Sequence, residues 1–216
     1  MHFTKVDTFD LLGIVPNETM SWNSHLFKIQ VKISKVLGIM NCLKHYLPQQ
    51  TLQVIYNSLI LPHFLYGILL WGLRSNKLSK LQNRAVRIIT MNKRNAHVDP
   101  LFKRLKMLKL EDLFLQQQWK FYYKFKKGVL PPYFKQFSFP RQGEVHPHLT
   151  RNRNMLVTPR LKYEFSKSAI KYRLPKFIND ATENDDTKDI LDKITSHSLH
   201  GFNFYIKTIF INAYAQ

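Results

Sequence analysis

Apolar residues in this chain recur mostly at spacings of three and four, the period of a helix buried along one side. Over residues 23–47 they stand at Leu26, Ile29, Ile33, Val36, Met40 and Leu43, while Lys28, Lys32 and Lys35 fall on another face. The pattern predicts one long helix, capped by Asn23 or Ser24 and stopped by Pro48. A second helix follows, with Leu52, Ile55, Tyr56 and Leu59 turned inward. Pro62 should kink or split it, because proline lacks the helical donor and clashes with the preceding turn. Residues 64–71 are apolar nearly all round, as in a helix packed on several sides, and Gly72 is placed to give a left-handed C-cap. A third helix is predicted from a Ser75 cap, with Leu78, Leu81, Ala85 and Ile88 inside. Lys77, Lys80, Arg84 and Arg87 repeat that spacing one position earlier, so they project together about 100° round the helix.

Further along, Asp99-Pro100 opens a short helix, with Asp as cap and Pro at the first helical position. A longer helix begins at Leu110. Glu111 and Asp112 sit in its first turn and Lys124, Lys126 and Lys127 in its last, which complements the macrodipole at both ends; Gly128 closes it. Near the N-terminus VDTFDLLGIVPNET reads as a short strand and turn. From 131 to 161 the punctuation is dense (PPYF, FPRQG, HPHLTRNRN, VTPR) and marks an irregular connector. A helical turn over 168–179 and helices over 188–195 and 199–214 finish the chain. The expected fold class is mainly α: a helical bundle with a short N-terminal strand or hairpin, and an irregular basic connector leading to C-terminal helices. The expected divisions are 1–22, 23–128 and 129–216. There is no internal repeat and no low-complexity tract.

The most apolar run, LILPHFLYGILLWG at 59–72, is shorter than the roughly 20 residues a membrane span needs. Pro62 and His63 interrupt it. It reads as the buried centre of a bundle, and no membrane partner is expected. The opening MHFTKVDTFD lacks the apolar core of a secretory signal. One cysteine, Cys42, excludes an internal disulfide framework and suits a reducing compartment, nucleus or cytoplasm, rather than secretion. Seven glycines in 216 residues disfavour a turn-rich sandwich or barrel.

Charge adds the functional signal. Lys plus Arg number 33 against 14 for Asp plus Glu, a net +19, with a pI near 10.0. Such an excess repels itself unless an anionic partner neutralises it, and nucleic acid is the usual partner. Asp180, Glu183, Asp185, Asp186, Asp189 and Asp192 crowd late in the chain, so its middle is more basic still. Lys77, Lys80, Arg84 and Arg87, continued by Lys93 and Arg94, form a run without acids. At ~1.5 Å rise per residue the helical four extend over roughly 15 Å, long enough to follow phosphates across a groove. The competing reading is a solvated helix face. Arg151 and Arg153, with Arg160, make a second basic patch in the connector. Trp119, Tyr122 and Tyr123 fit a core or seam better than a base-stacking platform, and Cys42 reads as a small core residue. His146 with His148, and His197 with His200, read as surface histidines, having no further ligand at metal-binding spacing. No phosphate-cradling glycine loop occurs.

Taken in order, MSWNSH (20–25), KISKVLG (32–38), LQVIYNSLILPHFLYGILLWG (52–72) and LQNRAVRII (81–89) resemble the C-terminal part of non-LTR, LINE-type (jockey-like) retrotransposon reverse transcriptases. The resemblance runs from about residue 10 to about 179. It implies that Leu11, Leu12 and Gly13 form a primer-grip-like hairpin at the end of a palm, that 23–128 is thumb-like, and that the rest is the family's C-terminal extension. Ile178 stands where the family has tryptophan before the asparagine of KFIN, and the following L-P is missing. The implied partner is RNA or an RNA–DNA hybrid, with an upstream polymerase portion. Polymerisation needs two Mg²⁺ ions held by aspartates. The Asp-Asp pair here, Asp185-Asp186 in TENDDTKD, lacks the preceding aromatic and the flanking β-formers of the family's hairpin. The catalytic palm is therefore expected to be absent, with no catalytic or metal-binding residue in the chain, and Mg²⁺ is expected only with a complete palm. A helical interaction module that contacts acidic proteins, and a transposon remnant without function, are the alternatives.

Overall fold

A computed structural model of the chain describes residues 8–18, 21–72, 76–145, 151–163, 166–167 and 169–214. Ser75, His146 and His148, expected as a helix cap and as surface histidines, lie outside them. The chain is mainly helical, and strand pairing among the described residues consists of isolated bridges. It separates into two compact units, Met1–Gln117 with Lys207–Gln216, and Gln118–Ile206.

The first unit is built on α1 (Asn23–Leu43), α2 (Gln49–Leu59), α3 (Leu61–Leu65), α4 (Ile68–Trp71), α5 (Asn76–Ile89) and α6 (Asp99–Leu105). α1 packs along α5, and α2 touches both. α1 buries His25, Ile29, Ile33, Leu37 and Met40. Leu26, Val36 and Leu43, expected in that stripe, are only partly buried and flank it. The buried row follows the four-residue ridge, the row that meets a neighbouring helix at close range. α1 also begins without the expected cap. Asn23 is already helical, Trp22 holds the cap position, and no side chain bonds the open amides. At the other end Tyr46 and Leu47 donate their N–H groups to Leu43 O, at 2.9 and 3.0 Å, so the helix stops a turn before Pro48.

The oily run is the centre of this core, but it is broken twice. Pro62 falls in the first turn of α3. Tyr66 is then extended, and Gly67 adopts a left-handed φ of 66°. Ile60, Phe64, Ile68 and Trp71 are buried, whereas Leu59, expected inward, is half exposed. Gly72 corrects another expectation. It is right-handed, with φ −58°, and does not cap α4 through a positive φ. It is glycine for space: a Cβ there would stand 2.5 Å from Phe114 Cδ2. Asp99 is likewise the first helical residue of α6, with Val98 at the cap, and its carboxylate pairs with Lys109 Nζ at 2.9 Å instead of the backbone. Cys42, expected in the core, is exposed.

α7 (Leu110–Lys126) carries Glu111 and Asp112 in its first turn, and Lys124 and Lys126 in its last. Gly128, with φ 68°, ends it. Its N–H bonds Phe125 O at 3.1 Å and that of Val129 bonds Lys124 O at 3.0 Å, a Schellman pair. In the second unit Trp119, Tyr122 and Tyr123 are buried core. Trp119 meets Phe177 edge-on at 4.7 Å between centroids, and Tyr123 stacks on Phe202 at 5.1 Å. α8 (Gln142–Val145), α9 (Ile170–Glu183), α10 (Asp185–Ser196) and the start of α11 (Leu199–Ala213) complete the unit. Asp185 and Asp186 open α10 rather than turning between two strands. In the connector Arg141 bridges Leu156, and Asn179 accepts from Leu156 N–H at 2.8 Å while donating to Leu156 O at 2.9 Å. No helix among the described residues is long and apolar enough to cross a membrane.

Candidate nucleic-acid interface

Packing of α1 on α5 leaves a groove of about 570 Å³ along one edge of the pair. α5 presents Lys80, Arg84 and Arg87 to it, α1 presents Asn41 with Lys44 at its C-cap, and the loop after α5 adds Asn92 and Arg94; Leu81 and Ile88 supply apolar lining. The loop reaches the groove because α5 ends in a tight reversal. Met91 is left-handed at φ 54°, its N–H bonds Ile88 O at 3.2 Å, and the N–H of Asn92 bonds Arg87 O at 3.0 Å. Arg87 Nε donates to Ala96 O at 3.0 Å, which ties the far end of the loop to the helix. The α5 backbone is held from beneath by Gln82, a fully buried amide that donates to Tyr56 Oη and Leu108 O, both at 2.9 Å.

Five cations line this groove, Lys44, Lys80, Arg84, Arg87 and Arg94, and no acid does. Two ion pairs among the described residues of the first unit, Lys28 with Asp10 and Lys109 with Asp99, lie elsewhere. Among the described residues none of the five is neutralised by a carboxylate. Of the cations expected on this face, Lys77 and Lys93 are exposed but do not line the groove. Asn41, Lys44 and Asn92 were not anticipated. Lys44 stands four residues after the buried Met40, and a cation that borders a buried stripe lies beside whatever helix the stripe packs on.

Leu11, Leu12 and Gly13 form a separate feature. Leu11 and Ile14 exchange both backbone hydrogen bonds, at 2.8 and 3.0 Å. Leu12 and Gly13 have φ 53° and 82°, which makes a two-residue type I′ hairpin turn. The turn is braced: Asp10 Oδ1 accepts Gly13 N–H at 2.7 Å, Tyr66 Oη donates to Leu12 O, and Lys28 pairs with Asp10 at 2.8 Å. Leu12 is left 84% exposed at its tip. Close approach of this hairpin also explains Gly67, where a Cβ would stand 2.9 Å from Ile14 Cδ1.

Arg151 and Arg153 belong to the second unit and are exposed on the turn 151–154. Arg153 O accepts Gly143 N–H at 2.9 Å, and the Arg153 stem runs so close that a Cβ on Gly143 would meet its Cγ at 2.3 Å. Among the described residues no three His, Cys, Asp or Glu side chains are grouped to hold a metal ion. His197 instead hydrogen-bonds Ser196 Oγ through Nδ1 at 2.9 Å. No protein-family model, curated protein or solved structure matches the chain.

Proposed function

We propose that this chain is a nucleic-acid-binding segment of a non-LTR retrotransposon reverse transcriptase, which holds RNA or an RNA-template/DNA-primer duplex on the α1–α5 side of its first unit and does not polymerise by itself. The observation that carries this reading is the groove with five cations and no acid. Helix dipoles account for part of that charge, since Arg87 lies in the last turn of α5 and Lys44 at the end of α1. Lys80 and Arg84, further back on α5, and Arg94, beyond its end, have no such explanation. The helix ends that open on the groove carry partial negative charge, so attraction for phosphate must come from the side chains.

Full neutralisation of one phosphate by each of the five cations sets the steepest salt dependence the groove supports. At about −0.9 per contact the slope of log K against log salt is about −4.5, roughly 500-fold between 50 and 200 mM. Fluorescence anisotropy of a labelled RNA–DNA hybrid across that range measures it. The triple substitution Lys80→Glu, Arg84→Glu, Arg87→Glu should flatten the slope and weaken binding, with circular dichroism checking that the helices persist. Unchanged salt-dependent binding in the triple variant removes the groove from the interface. Tighter binding to polyglutamate than to the hybrid at equal ionic strength replaces the reading with that of an interaction module for acidic proteins.

A further inference from the structure

Resting on that reading, we infer that the α1–α5 groove takes an unpaired nucleotide next to the duplex, base as well as phosphate. A groove serving phosphates alone needs only cations. This one mixes three chemistries within about 570 Å³: the five cations, two carboxamides at Asn41 and Asn92, and the apolar side chains of Leu81 and Ile88. That volume falls in the ordinary range of small-ligand clefts, about 300–1,000 Å³, so beside cations that reach duplex phosphates it has room for one nucleotide. An unpaired nucleotide matches it on every count. Its phosphates meet lysine and arginine, its ring covers the aliphatic surface or an arginine plane, and the donor and acceptor edges of the base meet carboxamides, which carry both. The site is also pre-built. The left-handed Met91 and the Arg87–Ala96 hydrogen bond fix the loop that brings Asn92 and Arg94 to the edge of α5. No aromatic residue lines the groove, so the base is held by the carboxamides and the aliphatic lining rather than by ring stacking.

The test compares hybrids matched in total phosphates, using the full chain at one salt concentration. One is blunt, one carries a short unpaired extension, and one carries the same extension without bases. The base-bearing extension should bind roughly fivefold tighter than either of the others, the scale of one hydrogen bond between a carboxamide and the base edge. In the double variant Asn41→Leu, Asn92→Leu the ratio of extended to blunt affinity should fall towards one, whatever happens to either affinity alone. Equal binding of all three hybrids, or equal binding of the base-bearing and abasic extensions, overturns the inference and leaves duplex binding standing. Loss of salt-dependent binding to every hybrid overturns both.

Discussion

Tyr214 offers a severe test of how the first unit is closed. Its ring is buried, meets Phe102 edge-on at 6.2 Å between centroids, and lies 4.7 Å beneath Lys109 Nζ. Its hydroxyl donates to Asp112 Oδ2 and accepts the backbone N–H of Lys109 at 2.8 Å. Burial raises the Asp112 carboxyl above its ordinary value, and the hydrogen bond from Tyr214 opposes that rise. Tyr214→Phe keeps the ring, the edge contact and the cation above it, and removes only the oxygen. A hydrogen bond to a charged group contributes about 1.5–3 kcal/mol, and a buried N–H left without an acceptor costs about 1–3 kcal/mol. Because one atom serves both groups, and both hydrogen bonds are only partly buried, the losses overlap and about 1.5–3 kcal/mol is expected at neutral pH. The penalty should shrink in acid, where a protonated Asp112 no longer needs a donor. Urea unfolding at both pH values measures the total, and hydrogen exchange at the Lys109 amide reports the contact itself. An unaltered midpoint together with unaltered exchange at Lys109 refutes the reasoning.

Gly72→Ala should destabilise the first unit by about 1–3 kcal/mol, the usual cost of overpacking, because the new methyl meets Phe114 at 2.5 Å; a midpoint equal to wild type contradicts it. Met91→Gly should stabilise by up to about 1 kcal/mol, since a side chain in left-handed backbone is strained and Met91 is more than half exposed; a lower melting temperature would show that the side chain matters more than the strain. His25 is buried with neither ring nitrogen hydrogen-bonded, and lies beside Trp71 at 6.1 Å between centroids. Burial holds its pKa below the usual value, reinforced by Lys28 and Lys32 and opposed by Asp10, while burial and Lys32 do the same to His63. The unfolded chain therefore takes up these protons first, so stability is full above the ordinary histidine pKa of about 6.5 and is lost as pH falls below it. Midpoints measured from pH 8 downwards should show that loss, and His25→Phe should reduce it; a flat profile in the wild type excludes it.

The amphipathic period of α5 was strong enough to reveal its inner face and basic row, because both are properties of one helix. Leu78, Ala85 and Ile88 are buried, Leu81, expected with them, is only partly buried and borders the groove, and Lys80 and Arg84 are exposed. Pro62 and Gly128 were equally legible, each acting through its own backbone. What escaped depends on neighbours. Gln82 looks like a surface amide until Tyr56 and Leu108 stand beneath it. Gly72 resembles a cap until Phe114 closes on it. Cys42 looks like core by composition and is exposed because the buried row of α1 runs through Met40 instead. The groove was half visible for the same reason. Lys80, Arg84, Arg87 and Arg94 come from one continuous segment, whereas Asn41 and Lys44 join them across the α1–α5 contact, which no local spacing encodes.

The first unit takes in residues 207–216 as well as 1–117, with Tyr214 locked onto Lys109 and Asp112. A ribosome delivers those parts at different times. The leading helices must wait, with an uncovered seam and a carboxylate lacking its donor, while all of 118–206 is synthesised. A stop codon or frameshift anywhere in that interval would thus harm the part of the chain already made, and late nonsense lesions should yield aggregated or degraded product instead of a stable, shortened chain.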